Sequence, residues 1–189
     1  LEKYKVILAS NSPRRKELLS GLGICYEVKT LPGIEESYPD TLSGEEIPIF
    51  IAREKADAYR QTMHSDELII TADTIVWLDG LVMGKPADEE DAKRMLRCLS
   101  GKTHQVITGV CLTTTEFQKS FATVTDVTFA ELTEEEIDYY VQKYKPMDKA
   151  GSYGIQEWIG FVGVEGITGS YFNVMGLPIQ RLYKELKKL

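Results

Sequence analysis

Apolar residues fall in short blocks along this chain, and the spacing inside the blocks switches between strand and helix periods. Lys5–Ala9 (Lys-Val-Ile-Leu-Ala) is a run of strand length. It stops at Ser10-Asn11-Ser12-Pro13, where Ser12 is a good N-cap and Pro13 suits the first helical position. The spacing then predicts a helix with Leu18, Leu19 and Leu22 inward, ending near Gly21 and Gly23. Cys25–Leu31 reads as a second strand, followed by a Pro32-Gly33 turn and an acidic loop at Glu35-Glu36. Ser43-Gly44-Glu45-Glu46 resembles a capping box, but Pro48 would interrupt the ladder two residues later. The main helix is therefore expected from Pro48 to about Thr62.

Glu67–Leu78 is β-rich and is turned by Asp79-Gly80, a strong hairpin signal. Asp88 caps a helix with Ala92, Met95, Leu96 and Leu99 at helical spacing, closed by Gly101. Two further β-rich segments, Thr103–Thr115 and Lys119–Leu132, flank a turn at Thr115–Gln118. Thr133-Glu134-Glu135-Glu136 is a cleaner capping box, opening a helix through Ile137, Tyr140, Val141 and Tyr144 that Pro146 ends. A Gly-rich run from Gly151 to Gly176 reads as connection. Pro178 then starts a last helix with Ile179, Leu182, Tyr183 and Leu186 inside. Strands and helices alternate, which predicts an α/β fold, a mixed twisted sheet with flanking helices. No linker is long enough to separate independent domains, so residues 1–189 are expected to form one.

Composition narrows the function. Hydrophobic residues make up 43 %, enough for a core. Asp and Glu number 29 against 22 Lys and Arg, a net charge of −7, which disfavours polymeric nucleic acid and anionic membrane surfaces as partners. Charges such as Asp73 and Asp79 break every long apolar run, so no membrane span is expected. The first ten residues lack a signal-peptide pattern, and Leu1 in place of an initiator Met reads as a trimmed start. Three cysteines without a C-x-x-C pair exclude a disulfide framework and a Cys-based zinc site, and two histidines exclude a His-rich one. A metal here would be oxygen-bound Mg²⁺ or Mn²⁺. The expected setting is cytoplasmic.

Four places could carry chemistry. Ser10-x-Ser12-Pro13-Arg14-Arg15 puts two arginines and helix N–H groups where an anion could bind, although an ordinary capped helix with solvated arginines looks the same. Asp73 lies in Ile69-Ile70-Thr71-Ala72-Asp73-Thr74-Ile75-Val76, where a carboxylate is costly unless paired, protonated or metal-bound. A local bulge or an Asp capping its own turn is the alternative. Glu35, Glu36, Arg53, Lys55 and Lys85 are solvated charges by default, yet around one cleft they would supply metal-binding carboxylates and phosphate-binding cations. In Asp148-Lys149-Ala150-Gly151-Ser152-Tyr153-Gly154-Ile155-Gln156 the glycines permit close approach to a ligand and Gln156 offers a donor and an acceptor, against a plain Gly-rich connection. His104 and the cysteines are assigned to structure. P-loop, G-x-G-x-x-G and G-x-S-x-G patterns do not occur, and Asp73-Thr74-Ile75 is not the Asp-x-Asp of an aspartyl-phosphate phosphatase.

Taken in order, these pieces resemble the Maf family of nucleoside triphosphate pyrophosphatases. The resemblance lies in Ser10–Arg15 with Glu17-Leu18-Leu19, Gly33-Ile34-Glu35-Glu36, Ala52-Arg53-Glu54-Lys55-Ala56 and Ala72–Val76. It continues in Gly84-Lys85-Pro86, Leu99–His104, Asp148–Gln156, Gly169-Ser170-Tyr171 and Gly176-Leu177-Pro178. It implies two lobes around a deep cleft, laid out like the inosine triphosphate pyrophosphatases, and a homodimer. It also implies hydrolysis of a nucleoside triphosphate between the α and β phosphates with a divalent cation. By the same resemblance Asp73 is the proton acceptor, and Arg14, Thr74 and Gln156 select the base in the manner of the dTTP- and UTP-directed branch. Chemically, Ser10, Arg15, Lys55 and Lys85 can hold phosphates, and Glu36 with Asp73 can place Mg²⁺. Asp73 as base and Asp73 as metal ligand both stay open. Two rivals remain, a non-catalytic nucleotide-binding regulator linked to cell division and an unrelated phosphohydrolase releasing orthophosphate.

Overall fold

A computed structural model describes residues 1–189, and in it the chain divides into two compact units. The first contains Leu1–Thr74, Thr108–Thr123 and Gly176–Leu189, and the second Ile75–Ile107 and Val124–Met175. Each is built from separate stretches of sequence.

In the first unit, β1 (Lys5–Leu8) runs parallel to β2 (Tyr26–Val28) and to the start of β3 (Glu67–Leu78). Val6, Ile7, Leu8, Leu68, Ile69 and Ile70 are all buried, as parallel strands covered on both faces require. β2 is only three residues long, shorter than the expected Cys25–Leu31, because Val28 and Leu31 have no core to face and stay exposed. The helix α1 (Pro13–Ser20) starts as its sequence dictates: the Ser12 hydroxyl accepts the Arg15 N–H at 3.3 Å and Pro13 opens the first turn. α2 (Glu46–Arg60) starts two residues before Pro48. Pro48 does not interrupt it, because a first-turn residue has no intrahelical partner for an N–H in any case. This helix packs so closely on the Thr103–Thr113 strand that a Cβ on Gly109 would lie 2.4 Å from the Pro48 carbonyl carbon. Only glycine fits there.

The last helix of the chain (Ile179–Leu186) buries Leu182 and Leu186 as expected. Ile179 is half-buried, Tyr183 is exposed instead of buried, and the third buried position belongs to Glu185. Its carboxylate is held by Lys119, Arg181 and Lys188, and these cations draw it down to about 2.

In the second unit, β3 turns through Asp79 and Gly80, both at positive φ, into β4 (Leu81–Met83), the expected hairpin. α3 (Glu89–Leu99), capped by Asp88, and α4 (Glu134–Tyr144), with its Thr133–Glu136 capping box, match their sequence signals. Between them run β5 (Thr103–Thr113) and β6 (Gln118–Phe129). The Gly-rich run is more ordered than expected: it folds α5 (Trp158–Gly163), β7 (Val164–Thr168) and α6 (Tyr171–Met175), followed by α7 (Ile179–Leu186). β7 pairs antiparallel with β6, from Asp126 opposite Thr168 to Phe129 opposite Val164. Leu96, Leu99, Phe129, Tyr140, Tyr153 and Ile159 form the centre of this unit's core. His104 belongs to it, with Nε2 2.6 Å from the Tyr153 hydroxyl, and burial pushes its pKa down to about 4. It is a neutral core residue. The strands form one mixed sheet in the order β2-β1-β3-β5-β6-β7, with β4 on β3.

Candidate active site

Asp73 is 8 % exposed and sits between Ala72 and Thr74 on β3, a mostly apolar strand. Burial lifts its carboxyl to about 6, against the opposing pull of the Lys55 and Arg15 cations, while the Glu36 carboxylate pushes the same way as burial. Its Oδ2 is buried and has no hydrogen-bond partner. Of the possibilities open in the sequence, the structure has an acid in a tight site, paired but not saturated.

Its partner comes from α2. Lys55 Nζ donates to the Ala72 carbonyl at 3.0 Å and lies 3.2 Å from Glu36 Oε1 and 3.6 Å from Asp73 Oδ1. One ammonium thus holds two carboxylates that are far apart in sequence. Glu36 is presented by an extended loop anchored at two points. The Tyr59 hydroxyl accepts the Leu31 N–H at 3.0 Å, and Ile34 packs against Ile7, Tyr59 and Ile69. Glu35, next to Glu36, is exposed.

Arg15 is held from two sides. Its Nε donates to the Gly176 carbonyl at 2.7 Å and its terminal nitrogen to Thr74 Oγ1 at 3.1 Å. Thr74 Oγ1 also lies 2.8 Å from Thr108 Oγ1. Burial lowers the Arg15 pKa and Asp73 counters it, and a guanidinium so placed stays charged. With a planar fork of five donors, two bonds leave Arg15 further N–H groups for a ligand. Arg14, half-buried, precedes it in the first turn of α1. The Ser10 hydroxyl accepts the Ser12 N–H at 3.1 Å and so shapes the turn from β1 into α1.

Seven of the candidate residues, Ser10, Arg14, Arg15, Glu36, Lys55, Asp73 and Thr74, thus belong to the first unit. Lys85 and Gln156 belong to the second. Lys85 is exposed after β4, and the neighbouring Gly84 carbonyl accepts the Gly151 N–H at 3.1 Å. Gln156 follows Gly154-Ile155, and its Oε1 is buried without a hydrogen-bond partner. Arg53 points elsewhere, to the Ser120 hydroxyl at 3.0 Å. Thr108 carries no signal in the sequence, because a threonine among Val106, Ile107 and Val110 looks like any strand residue.

The oxygen set suits a hard cation. Asp73 has an unpartnered oxygen, and Glu36 shares its ammonium. No three His, Cys, Asp or Glu side chains gather tightly enough to hold a metal alone. Mg²⁺ or Mn²⁺ bound through these two carboxylates would need substrate oxygens and water to complete its shell, a normal arrangement for such ions.

A mixed α/β sheet with a buried acid flanked by an ammonium and a guanidinium defines a protein suited to phosphate chemistry. The chain belongs to the Maf-like protein family, whose pattern it matches over residues 5–189. It is 81 % identical over 189 residues to the dTTP/UTP pyrophosphatase of Phocaeicola vulgatus, covering 100 % of this chain and 98 % of that one. Identity to the dTTP/UTP pyrophosphatase of Bacteroides fragilis is 71 % over the same coverage, and to that of Flavobacterium johnsoniae 47 %, covering 100 % and 97 %. Among solved structures, a HAM1 protein from Coxiella burnetii shares the fold at TM-score 0.50 and 18 % identity, over 98 % of this chain and 100 % of that one. The family resemblance and the α/β architecture read from the sequence are both borne out. No helix is long and apolar enough to cross a membrane.

Proposed function

We propose that this Maf-like protein is a nucleoside triphosphate pyrophosphatase acting on dTTP and UTP, and on modified pyrimidine nucleotides of the same shape, in cleaning the nucleotide pool. The observation that carries the proposal is Asp73, a buried carboxyl lifted to about 6 beside two cations. A general base works best when its pKa lies near the working pH. The names of relatives up to 81 % identical supply the substrate class.

In the proposed reaction a water oxygen bonds to the α-phosphorus and the bond from that phosphorus to the α–β bridging oxygen breaks. Pyrophosphate leaves with the electron pair, the nucleoside monophosphate remains, and Asp73 takes the water's proton. Arg15, Lys55, Lys85 and Ser10 bind the phosphates. Lys55 does so by exchanging the exposed Glu36 carboxylate for a phosphate oxygen while keeping its bond to Ala72. Asp73 and Glu36 are the residues to hold Mg²⁺ or Mn²⁺, which supplies positive charge against the departing pyrophosphate. Arg14, Thr74 and Gln156 select the base.

Residues 1–189 act as one domain in this reading, since β3, β5 and β6 each run without a break through a unit boundary. In this reading the protein works in the cytoplasm with its nucleotides and as a homodimer, to whose contact the individually exposed Phe161, Val162 and Phe172 could contribute. A non-catalytic regulator would have no use for a buried acid held near neutrality. The test is incubation with Mg²⁺ and dTTP, UTP, CTP or GTP, followed by product identification. Monophosphate plus pyrophosphate, fastest from dTTP and UTP, is expected. Diphosphate plus orthophosphate would show the rival phosphohydrolase, no turnover the regulator, and a preference for GTP a different specificity.

A further inference from the structure

Gly154 to Glu157 form a four-residue turn, closed by the Glu157 N–H donating to the Gly154 carbonyl at 3.0 Å. Gln156 is its third residue. Its Oε1 is a buried acceptor without a partner, a costly state that calls for an explanation. Its Nε2 folds back over the start of the turn, since a Cβ on Gly154 would lie 3.1 Å from it. Where the Gln156 amide points therefore depends on the shape of this turn.

That shape is braced by one oxygen atom. Tyr140 on α4 has its ring fully buried and stacked on Tyr144, with centroids 5.1 Å apart. Its hydroxyl accepts the Gly154 N–H at 3.0 Å and donates to Glu157 Oε1 at 2.5 Å. Both ends of the turn are thus tied to a single side chain from a neighbouring helix. Burial and the Glu157 carboxylate raise the Tyr140 pKa well above the ordinary tyrosine value, which keeps the hydroxyl a donor. Lys149, 3.9 Å from Glu157 Oε1, adds a distant charge to the same group.

We infer that Tyr140 is a positioning residue for base selection: its hydroxyl locks the Gly154–Glu157 turn and so fixes the direction in which Gln156 offers its amide to a pyrimidine edge. The inference rests on the dTTP/UTP reading of the site. A thymine or uracil edge has an N–H donor between two carbonyls, and only an amide with a fixed direction rejects the altered cytosine edge strongly. If the turn loosens, the amide can rotate and serve either pattern.

The test is the ratio of kcat/KM for dTTP to that for CTP. Tyr140→Phe keeps the ring and removes both bonds, and the ratio is expected to fall about tenfold or more, mainly because CTP improves relative to dTTP. Glu157→Gln retains an acceptor for the hydroxyl and should keep the ratio within about threefold of wild type, whereas Glu157→Leu should lower it as Tyr140→Phe does. A purely structural role would scale both substrates down together. Equal losses for dTTP and CTP in Tyr140→Phe overturn the inference. Should that variant not fold, the Glu157 pair decides: a ratio unchanged in Glu157→Leu overturns it as well. A wild-type enzyme without any dTTP preference overturns the base-selection reading itself, a result separable from the other two because it appears before any substitution.

Discussion

Lys55 Nζ lies 3.6 Å from Asp73 Oδ1 and donates to the carbonyl of Ala72, the residue just before it. The ammonium is tied to the strand as well as to the acid, so it stays beside Asp73 when Glu36 or a ligand moves. Even so, burial outweighs it, and the Asp73 carboxyl stands at about 6, above its ordinary 3.8. The site holds its acid by sacrificing stability, a common trade at catalytic positions.

That trade has a sign. An acid with a raised folded-state pKa binds more protons in the folded than in the unfolded protein between 3.8 and about 6, so stability falls as pH rises through that window. Asp73→Asn removes the penalty and should be more stable than wild type near pH 8, by roughly 2–3 kcal/mol for a shift of this size. The difference should shrink below about pH 4. Denaturant unfolding of both proteins at the two pH values checks this, and a less stable Asp73→Asn at pH 8 would show that the charge is fully compensated.

Lys85 and Arg15 should differ in kind. Lys85 is exposed, so Lys85→Ala should leave the melting temperature alone. It should lower kcat/KM for dTTP roughly 10- to 100-fold, the worth of a hydrogen bond to a charged group. Arg15→Lys should lower both, because one ammonium cannot replace the planar fork that serves Gly176 and Thr74. Unchanged kcat/KM in Lys85→Ala would reduce Lys85 to a surface charge.

Gln156→Glu should erode the preference for dTTP and UTP over CTP and GTP, since an ionised carboxylate cannot donate to a base carbonyl. Steady-state kinetics on the four nucleotides measure it. An unaltered profile would remove Gln156 from base selection.

Glu185 predicts an acid-labile C-terminal helix. Its carboxyl is depressed to about 2 by Lys119, Arg181 and Lys188, so the stability it contributes is complete above about pH 4.5 and is lost as pH falls toward 2. Glu185→Gln should lower stability near pH 7 by about 1.5–3 kcal/mol and make little difference near pH 2. Thermal melts across that range decide, and an equal loss at both ends would point to packing instead of charge.

Much of this was legible in the sequence wherever a local rule acts alone. Ser12, Asp88 and the Thr133–Glu136 box mark helix starts because caps act within three residues, and Asp79-Gly80 marks its hairpin because both residues take positive φ. Asp73 stood out because a carboxylate in an apolar strand has to be accounted for. The partners were harder. Nothing in spacing brings Glu36 to Lys55, since the contact is made by a loop anchored on Tyr59. Helical spacing points Tyr183 inward and carries no signal for Glu185, because it cannot know that Lys119, from a different element, will compensate a buried acid. The Gly151–Gly176 run reads as connection because α5, β7 and α6 are only five or six residues long and α5 and β7 carry glycine, and tertiary packing overrides their weak propensities.

The central claim is that Asp73 takes the proton from a water that attacks the α-phosphorus. The most direct test is pyrophosphate release from dTTP by wild type and Asp73→Asn near pH 8, with folding of the variant confirmed by its melt. The account predicts dTMP and pyrophosphate from wild type and a rate at least ~10²-fold lower from Asp73→Asn, the usual scale for a lost general base. Near-normal pyrophosphate release from the folded variant would contradict it.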